Sequence, residues 1–179
     1  MAIGATIHTF TVHLADVDRG VYEELSLRVA QQSAETGAFL LTRVLAYCLE
    51  YEEGIVFSEG IAATDEPAVM VRDLTGSLLA WIEVGAPDAA RLHQGSRAAE
   101  RTAVYTHRDP AKVAGQWSGK KIHRGEDILL HSFDPGFVED AAGHLERRNE
   151  LTLSVTERDL YLELNGTTLS SAIHTRSAQ

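Results

Sequence analysis

Ser77-Leu78-Leu79-Ala80-Trp81-Ile82-Glu83-Val84-Gly85 is the stretch on which the fold turns. From Leu78 to Val84 nearly every residue is apolar, the pattern of a central strand covered on both faces. Leu79, Trp81 and Glu83 share one face by parity. Glu83 breaks the pattern. An ionised carboxylate taken out of water costs several kcal/mol unless it is paired or bound to a metal. Its place, at the end of the strand and beside a glycine, is where open α/β sheets bind ligands.

Working forward, Gly85-Ala86-Pro87-Asp88 leads into a helix that reaches about Arg101, with Asp88 as its cap. Ala103–Thr106 reads as a strand, 110–117 as helical, 127–132 as a strand and 135–145 as a helix. Working back, 66–73 reads as a short helical turn, 59–64 as loop and 55–58 as a short strand. Leu41, Val44, Leu45, Cys48 and Leu49 recur at helical spacing, and Ser33 is placed to cap that helix. The two ends differ from this middle. Phe10, Val12 and Leu14 alternate, as do Leu25, Leu27 and Val29, on either side of the turn Asp16-Val17-Asp18-Arg19-Gly20. Leu151, Leu153 and Val155 alternate, then Leu160, Leu162 and Leu164, before the hairpin signal Asn165-Gly166. Residues 175–179 are polar and read as frayed. The fold class is therefore α/β: a mixed central sheet flanked by helices, with antiparallel hairpins at both ends.

The 179 residues suit one domain, 1–179, and 44% hydrophobic content supports a packed core. The formal net charge of −10 argues against a broad basic surface for nucleic acid, though not against a local basic cleft or a metal that supplies charge. The single cysteine, Cys48, rules out an internal disulfide and a cysteine-based zinc site, and reads as a small core residue. Neither a signal-peptide pattern nor a run approaching ~18 apolar residues is present, so a cytoplasmic chain with no membrane partner is expected.

An acidic turn, Thr64-Asp65-Glu66-Pro67, precedes the strand that ends in Glu83. That order outlines a metal-dependent nuclease site, except that the basic position two residues after the acid is Gly85. Asp65 and Glu83 are suited to a hard cation such as Mg²⁺ or Mn²⁺, which takes one or two carboxylates plus water and substrate phosphate. Taken alone, Asp65 also suits a cap of the turn or helix starting at Glu66, and Glu83 a rim carboxylate bonded to an arginine or to a helix N-terminus. Glu35, placed in the first helical turn, offers a third metal ligand or a favourable helix-dipole charge. Arg91 and Arg97 follow Glu83 on its helix, where Arg91 is the phosphate-directed candidate. Arg43 points away from the apolar stripe and either pairs with an acid near Glu35 or faces water. His8 and His13 differ in strand parity, and His123 and His131 have no assigned role. Trp81 and Trp117 read as packing residues. There is no nucleophile elbow and no phosphate loop.

The chain resembles the YaeQ family of bacterial proteins. The likeness is carried by Leu14-Ala15-Asp16-Val17-Asp18-Arg19 with Tyr22, Glu35-Thr36, Arg43-Val44-Leu45-Ala46-Tyr47, Gly60, Thr64-Asp65-Glu66-Pro67, Trp81 through Asp88, Arg91 and Val104-Tyr105-Thr106. The resemblance implies a variant of the restriction-endonuclease-like, PD-(D/E)xK, fold, without an established activity. By similarity, Asp65 takes the metal-binding aspartate, Glu83 the strand acid and Glu35 the helix acid, while the superfamily lysine falls on Gly85. The chain departs further from similar sequences at His93-Gln94-Gly95-Ser96 and at Phe39, where they tend to be basic. Two functions follow as expectations: a degenerate or divalent-metal-dependent nucleic-acid phosphodiesterase using Asp65, Glu83 and Arg91, or a non-catalytic binding or regulatory module on the same scaffold.

Overall fold

The computed structural model describes residues 5–58 and 65–179. In chain order it contains β1 (Thr6–Asp16), β2 (Val21–Gln31), α1 (Gly37–Leu49), β3 (Ile55–Phe57), β4 (Val69–Arg72), β5 (Leu78–Val84), α2 (Ala89–Ala98), β6 (Arg101–Tyr105), α3 (Pro110–Gly115), β7 (Leu129–Phe133), α4 (Phe137–Ala142), β8 (Arg148–Thr156), β9 (Asp159–Leu164) and β10 (Thr167–Ser177). The strands form one ten-stranded order, β2-β1-β8-β9-β10-β7-β6-β5-β4-β3. This is a mixed α/β fold with four α-helices among the described residues.

The order divides at β10. Its first half, Thr167–Ala172, pairs with β9, and its second half, Ile173–Ser177, pairs with β7. On one side lies a hairpin wing of β2, β1, β8 and β9. On the other lies a parallel wing, in which β5, β6 and β7 run parallel and β4 and β3 extend the edge antiparallel.

Hydrophobic pattern places the layers. In the hairpin wing Phe10, Val12, Leu14, Leu27, Val29, Leu151, Leu153, Leu160 and Leu162 all point into one core. That core also takes the apolar side of α1, the face of β5 carrying Ala80, Ile82 and Val84, and α4. The opposite face of the parallel wing has its own core, built from Leu92, Val104, Val113, Trp117, Ile128 and Leu130 under α2 and α3. The parallel wing is therefore buried on both faces, as βαβ crossovers require. Gly95 in α2 belongs to this packing, because a Cβ there would come within 2.5 Å of the Trp81 ring.

Several boundaries differ from the sequence expectation. The cap of α1 is Thr36, whose Oγ1 accepts from Phe39 N at 3.1 Å, so the helix starts after Ser33 and Glu35. Residues 66–73 are not a helical turn: Val69, Met70 and Val71 pair with both β3 and β5, and sheet pairing outweighs the local turn signal. Residues 175–177 are strand rather than frayed, held by β7, and Gln179 Nε2 donates to the carbonyls of Trp117 and Lys120. The two terminal hairpin regions do form, but they are not separate flanks. β1 pairs in parallel with β8, joining the ends of the chain into one wing. The expected 59–64 loop lies outside the described residues.

Candidate functional site

The fold turns Glu83 onto the outer face of β5, opposite Val104 of β6 and under α2. Its residue is 4% exposed. Both donors reach the same oxygen: Trp81 Nε1 lies 2.7 Å from Oε2 and Arg91 Nε 2.8 Å from it. Arg91 comes from the first turn of α2, where its backbone N–H is capped by Asp88 Oδ1 at 2.8 Å. Burial raises the Glu83 carboxyl above the ordinary glutamate value, while the Arg91 guanidinium and the Trp81 N–H pull it back.

Arg91 Nη2 also donates to the carbonyl of Glu66. The register Val69↔Ile82 brings the 65–67 turn toward the end of β5, so turn and strand acid are neighbours joined by a guanidinium. Asp65 itself is exposed.

Glu35 has a separate setting. Arg43 grips it in a fork, Nε to Oε2 at 2.7 Å and Nη2 to Oε1 at 2.9 Å, and Gln32 N donates to Oε1 at 3.2 Å. Arg43 Nη2 further donates to the Ala30 carbonyl at 2.7 Å, tying α1 to β2. Glu35 and Arg43 are 7% and 1% exposed. Because α1 packs on the inner face of β5 and Glu83 faces outward, the sheet stands between the two acids. Among the described residues no three His, Cys, Asp or Glu side chains gather to hold a metal ion, so Glu35, Asp65 and Glu83 are not brought together as one ligand set.

Gly85 has a structural reason for lacking a side chain. Its φ is +93°, a conformation that favours glycine, and a Cβ would approach Phe39 Cε2 to 2.9 Å. Gly85 and Phe39 thus lie against each other, an aromatic ring laid on a bare backbone.

Of the remaining candidates, Arg97 is exposed on α2. His131 is buried, stacks on Tyr105 with centroids 4.6 Å apart, and its Nδ1 lies 2.8 Å from Thr175 Oγ1. Trp117 and Cys48 are core residues. The role of Trp81 as a donor to Glu83 is new. Its signal in the sequence was the two-residue spacing on a strand, which puts both on one face.

Charge is unevenly divided. Residues 89–124 hold eight of the sixteen Lys and Arg, including all three lysines, and two of the twenty-six Asp and Glu, a formal +6 against −16 for the rest. This segment builds α2, β6, α3 and the loop after it. Arg97, Arg108, Lys112, Lys120, Lys121 and Arg124 are exposed there, and no ion pair among the described residues involves them. Arg124 Nη2 donates to the carbonyls of Ser96 and Ala99, which fixes the loop against the end of α2.

Together these features define a mixed α/β protein in which arginines hold buried acids on both sides of the sheet, one of them, Glu83, under a basic helical layer. The model of the family described as YaeQ protein matches residues 1–173, and this chain belongs to the YaeQ family. It is 34% identical over 160 residues to the uncharacterized protein YaeQ of Escherichia coli (strain K12), covering 89% of this chain and 87% of that one. It is 26% identical over 163 residues to the uncharacterized protein YaeQ of Salmonella typhi, with 90% of each chain covered. The YaeQ protein from Pseudomonas syringae superposes with a TM-score of 0.85 at 28% identity over 96% of this chain and 95% of that one. For the YaeQ protein from Xanthomonas axonopodis pv. citri the TM-score is 0.88 over 98% and 99%, a likeness of fold at 24% identity. Among the described residues no helix is long and apolar enough to cross a membrane.

Proposed function

We propose that this YaeQ-family chain works as a binding or regulatory module for a phosphate-rich partner, on a scaffold related to the restriction-endonuclease-like fold, and not as a metal-dependent phosphodiesterase. The carrying observation is that Glu83 Oε2 already accepts from Trp81 Nε1 and from Arg91 Nε, the guanidinium at 2.8 Å, so a fixed positive charge stands at this carboxylate. A guanidinium and a divalent cation compete for one place, so the residues as arranged do not fit Mg²⁺ or Mn²⁺. Gly85 under Phe39 points the same way, because a lysine at 85 would require both φ and the ring to change.

The basic layer supports the choice of partner. Phosphate contacts from exposed Lys and Arg give sequence-independent affinity that falls steeply with salt. The layer's tryptophan, Trp117, is buried, so it offers backbone contacts rather than a stacking platform for bases.

Calorimetric titration with Mn²⁺, on wild type and Glu83→Ala, tests the first half. No saturable binding up to about 1 mM is expected in either. Saturable binding to wild type that Glu83→Ala abolishes, with metal-dependent cleavage of DNA or RNA following the same pattern, would restore the phosphodiesterase reading with Asp65, Glu83 and Arg91. Fluorescence anisotropy of a labelled duplex and a labelled single strand tests the second half. Binding that weakens with salt and with the double change Lys120→Glu and Lys121→Glu is expected, and equal binding by wild type and variant refutes it.

A further inference from the structure

We propose that two copies of the chain pair edge to edge through β2, antiparallel, about a two-fold axis at Ser26. This inference is independent of the function proposed above.

β2 ends the strand order and spans eleven residues, Val21–Gln31. Its register with β1 is unbroken over its whole length, and it contains no proline. Proteins that stay monomeric shorten such edges, bulge them or place proline in them. β2 has neither the shortness, the bulge nor the proline; its charges, Glu23, Glu24 and Arg28, are of both signs, and its edge is covered at one end only, where Arg43 holds the Ala30 carbonyl, whereas the edge at the far end, β3, has only three residues.

The direction of the free backbone groups is fixed by one hydrogen bond. In an antiparallel pair alternate residues aim both N–H and C=O at the partner strand, and the residues between them aim both outward. The Ala30 carbonyl accepts from Arg43 Nη2, on the side away from β1. By alternation Arg28, Ser26, Glu24 and Tyr22 also present their backbone groups to the open edge. A two-fold axis at Ser26 makes these residues the hydrogen-bonded pairs of a new ladder. Ser26 faces the partner's Ser26, and the three central pairs exchange about six N–H···O bonds.

The side chains select that register. Tyr22, Glu24, Ser26 and Arg28 are exposed on the same face. With the axis at Ser26, Glu24 stands opposite the partner's Arg28, and Arg28 opposite the partner's Glu24. Tyr22, 62% exposed in the single chain, covers the partner's Ala30. Moving the axis one residue, to Leu25 or Leu27, sets Glu24 against Ser26 or Ala30 and loses both opposite-charge pairs, and moving it two sets Glu24 against Glu24 or Arg28 against Arg28, where like charges directly opposite are unfavourable. In the single chain Glu24 has His13 of β1 beside it, Nδ1 to Oε1 3.3 Å, on the same exposed face.

Sedimentation equilibrium from about 1 µM to about 1 mM provides the test, an interval that spans weak strand-to-strand contacts. Wild type is expected to pass from the 19.6 kDa protomer to twice that mass. Glu24→Arg and Arg28→Glu alone each set two like charges face to face at both ends of the ladder. Each should weaken dimerisation on the order of tenfold, and the combined reversal should restore it. Ser26→Pro, which removes the central outward N–H without touching the β1 ladder, should abolish it, with circular dichroism confirming the fold. A wild type that remains monomeric throughout overturns the proposal. So does a dimer indifferent to both single reversals and to Ser26→Pro, which would use another surface.

Discussion

The hairpin wing and the parallel wing solve burial differently. In β1, β8 and β9 inward and outward residues alternate strictly, and the outward face is solvent-exposed. In β5, β6 and β7 consecutive residues are buried, because α1 and α4 cover one face and α2 and α3 the other. A polar residue in the first wing can turn to water. In the second it must find a partner within the protein, and that requirement produces the Trp81–Glu83–Arg91 cluster. The chemistry-bearing look of Glu83 is thus a consequence of two-sided burial satisfied by an arginine, and such perturbed acids mark structural ion pairs as well as active sites.

The same substitution placed in each wing is the strongest way to break this contrast. Val104→Lys puts an unpaired charge between β6 and the α2–α3 layer and should leave the chain unfolded, whereas Thr152→Lys, on the exposed face of β8 opposite Glu163, should change stability by no more than about 0.5 kcal/mol in urea denaturation. Next in size is Arg43→Ala, which strands the buried Glu35 carboxylate and should cost about 3–5 kcal/mol in the same measurement. Arg97→Ala, on exposed α2, should be close to neutral.

A pH titration of stability sharpens the contrast further. Burial, with Arg158 nearby, pushes His131 from 6.5 down to about 4, so the folded protein keeps it neutral while the unfolded chain takes up a proton below 6.5. Its contribution is complete above pH 6.5 and should be lost between pH 6.5 and 4, by up to about 3 kcal/mol, with His131→Asn flattening that part of the curve. A smaller loss than those at Val104, Arg43 and His131 is expected at the sheet's end. Gly85→Ala should cost about 1–2 kcal/mol, since φ is +93° and Phe39 is in the way, and Phe39→Ala should relieve only the steric part in a double-mutant cycle.

Legibility in the sequence followed the same division. The β1–β2 hairpin, the Leu160–Leu164 alternation and the Asn165-Gly166 turn were readable, because one-sided burial writes itself as period two. The two-sided character of Leu78–Val84 was readable as an apolar run, as was Asp88 as a helix cap. The strand at Val69–Arg72 was not, since four residues between a turn and another turn signal carry little period of either kind. Nor was the β1–β8 pairing, whose partners are far apart in the chain and linked by no local signal. At the site, an acid partner for Arg43 in the region of Glu35 was readable as one of two alternatives, and the partner is Glu35 itself. The separation of Glu35 from Glu83 depends on which side of the sheet α1 and α2 pack, and residue order alone carries no record of that side.

Within the strand order of the described residues, the two wings are joined through β10. During synthesis that strand emerges after every other. Until it does, β9 and β7 each lack the neighbour that this order gives them. A single segment, Thr167–Ser177, supplies the pairing for both strands, so the continuous sheet depends on distant partners that no local signal brings together.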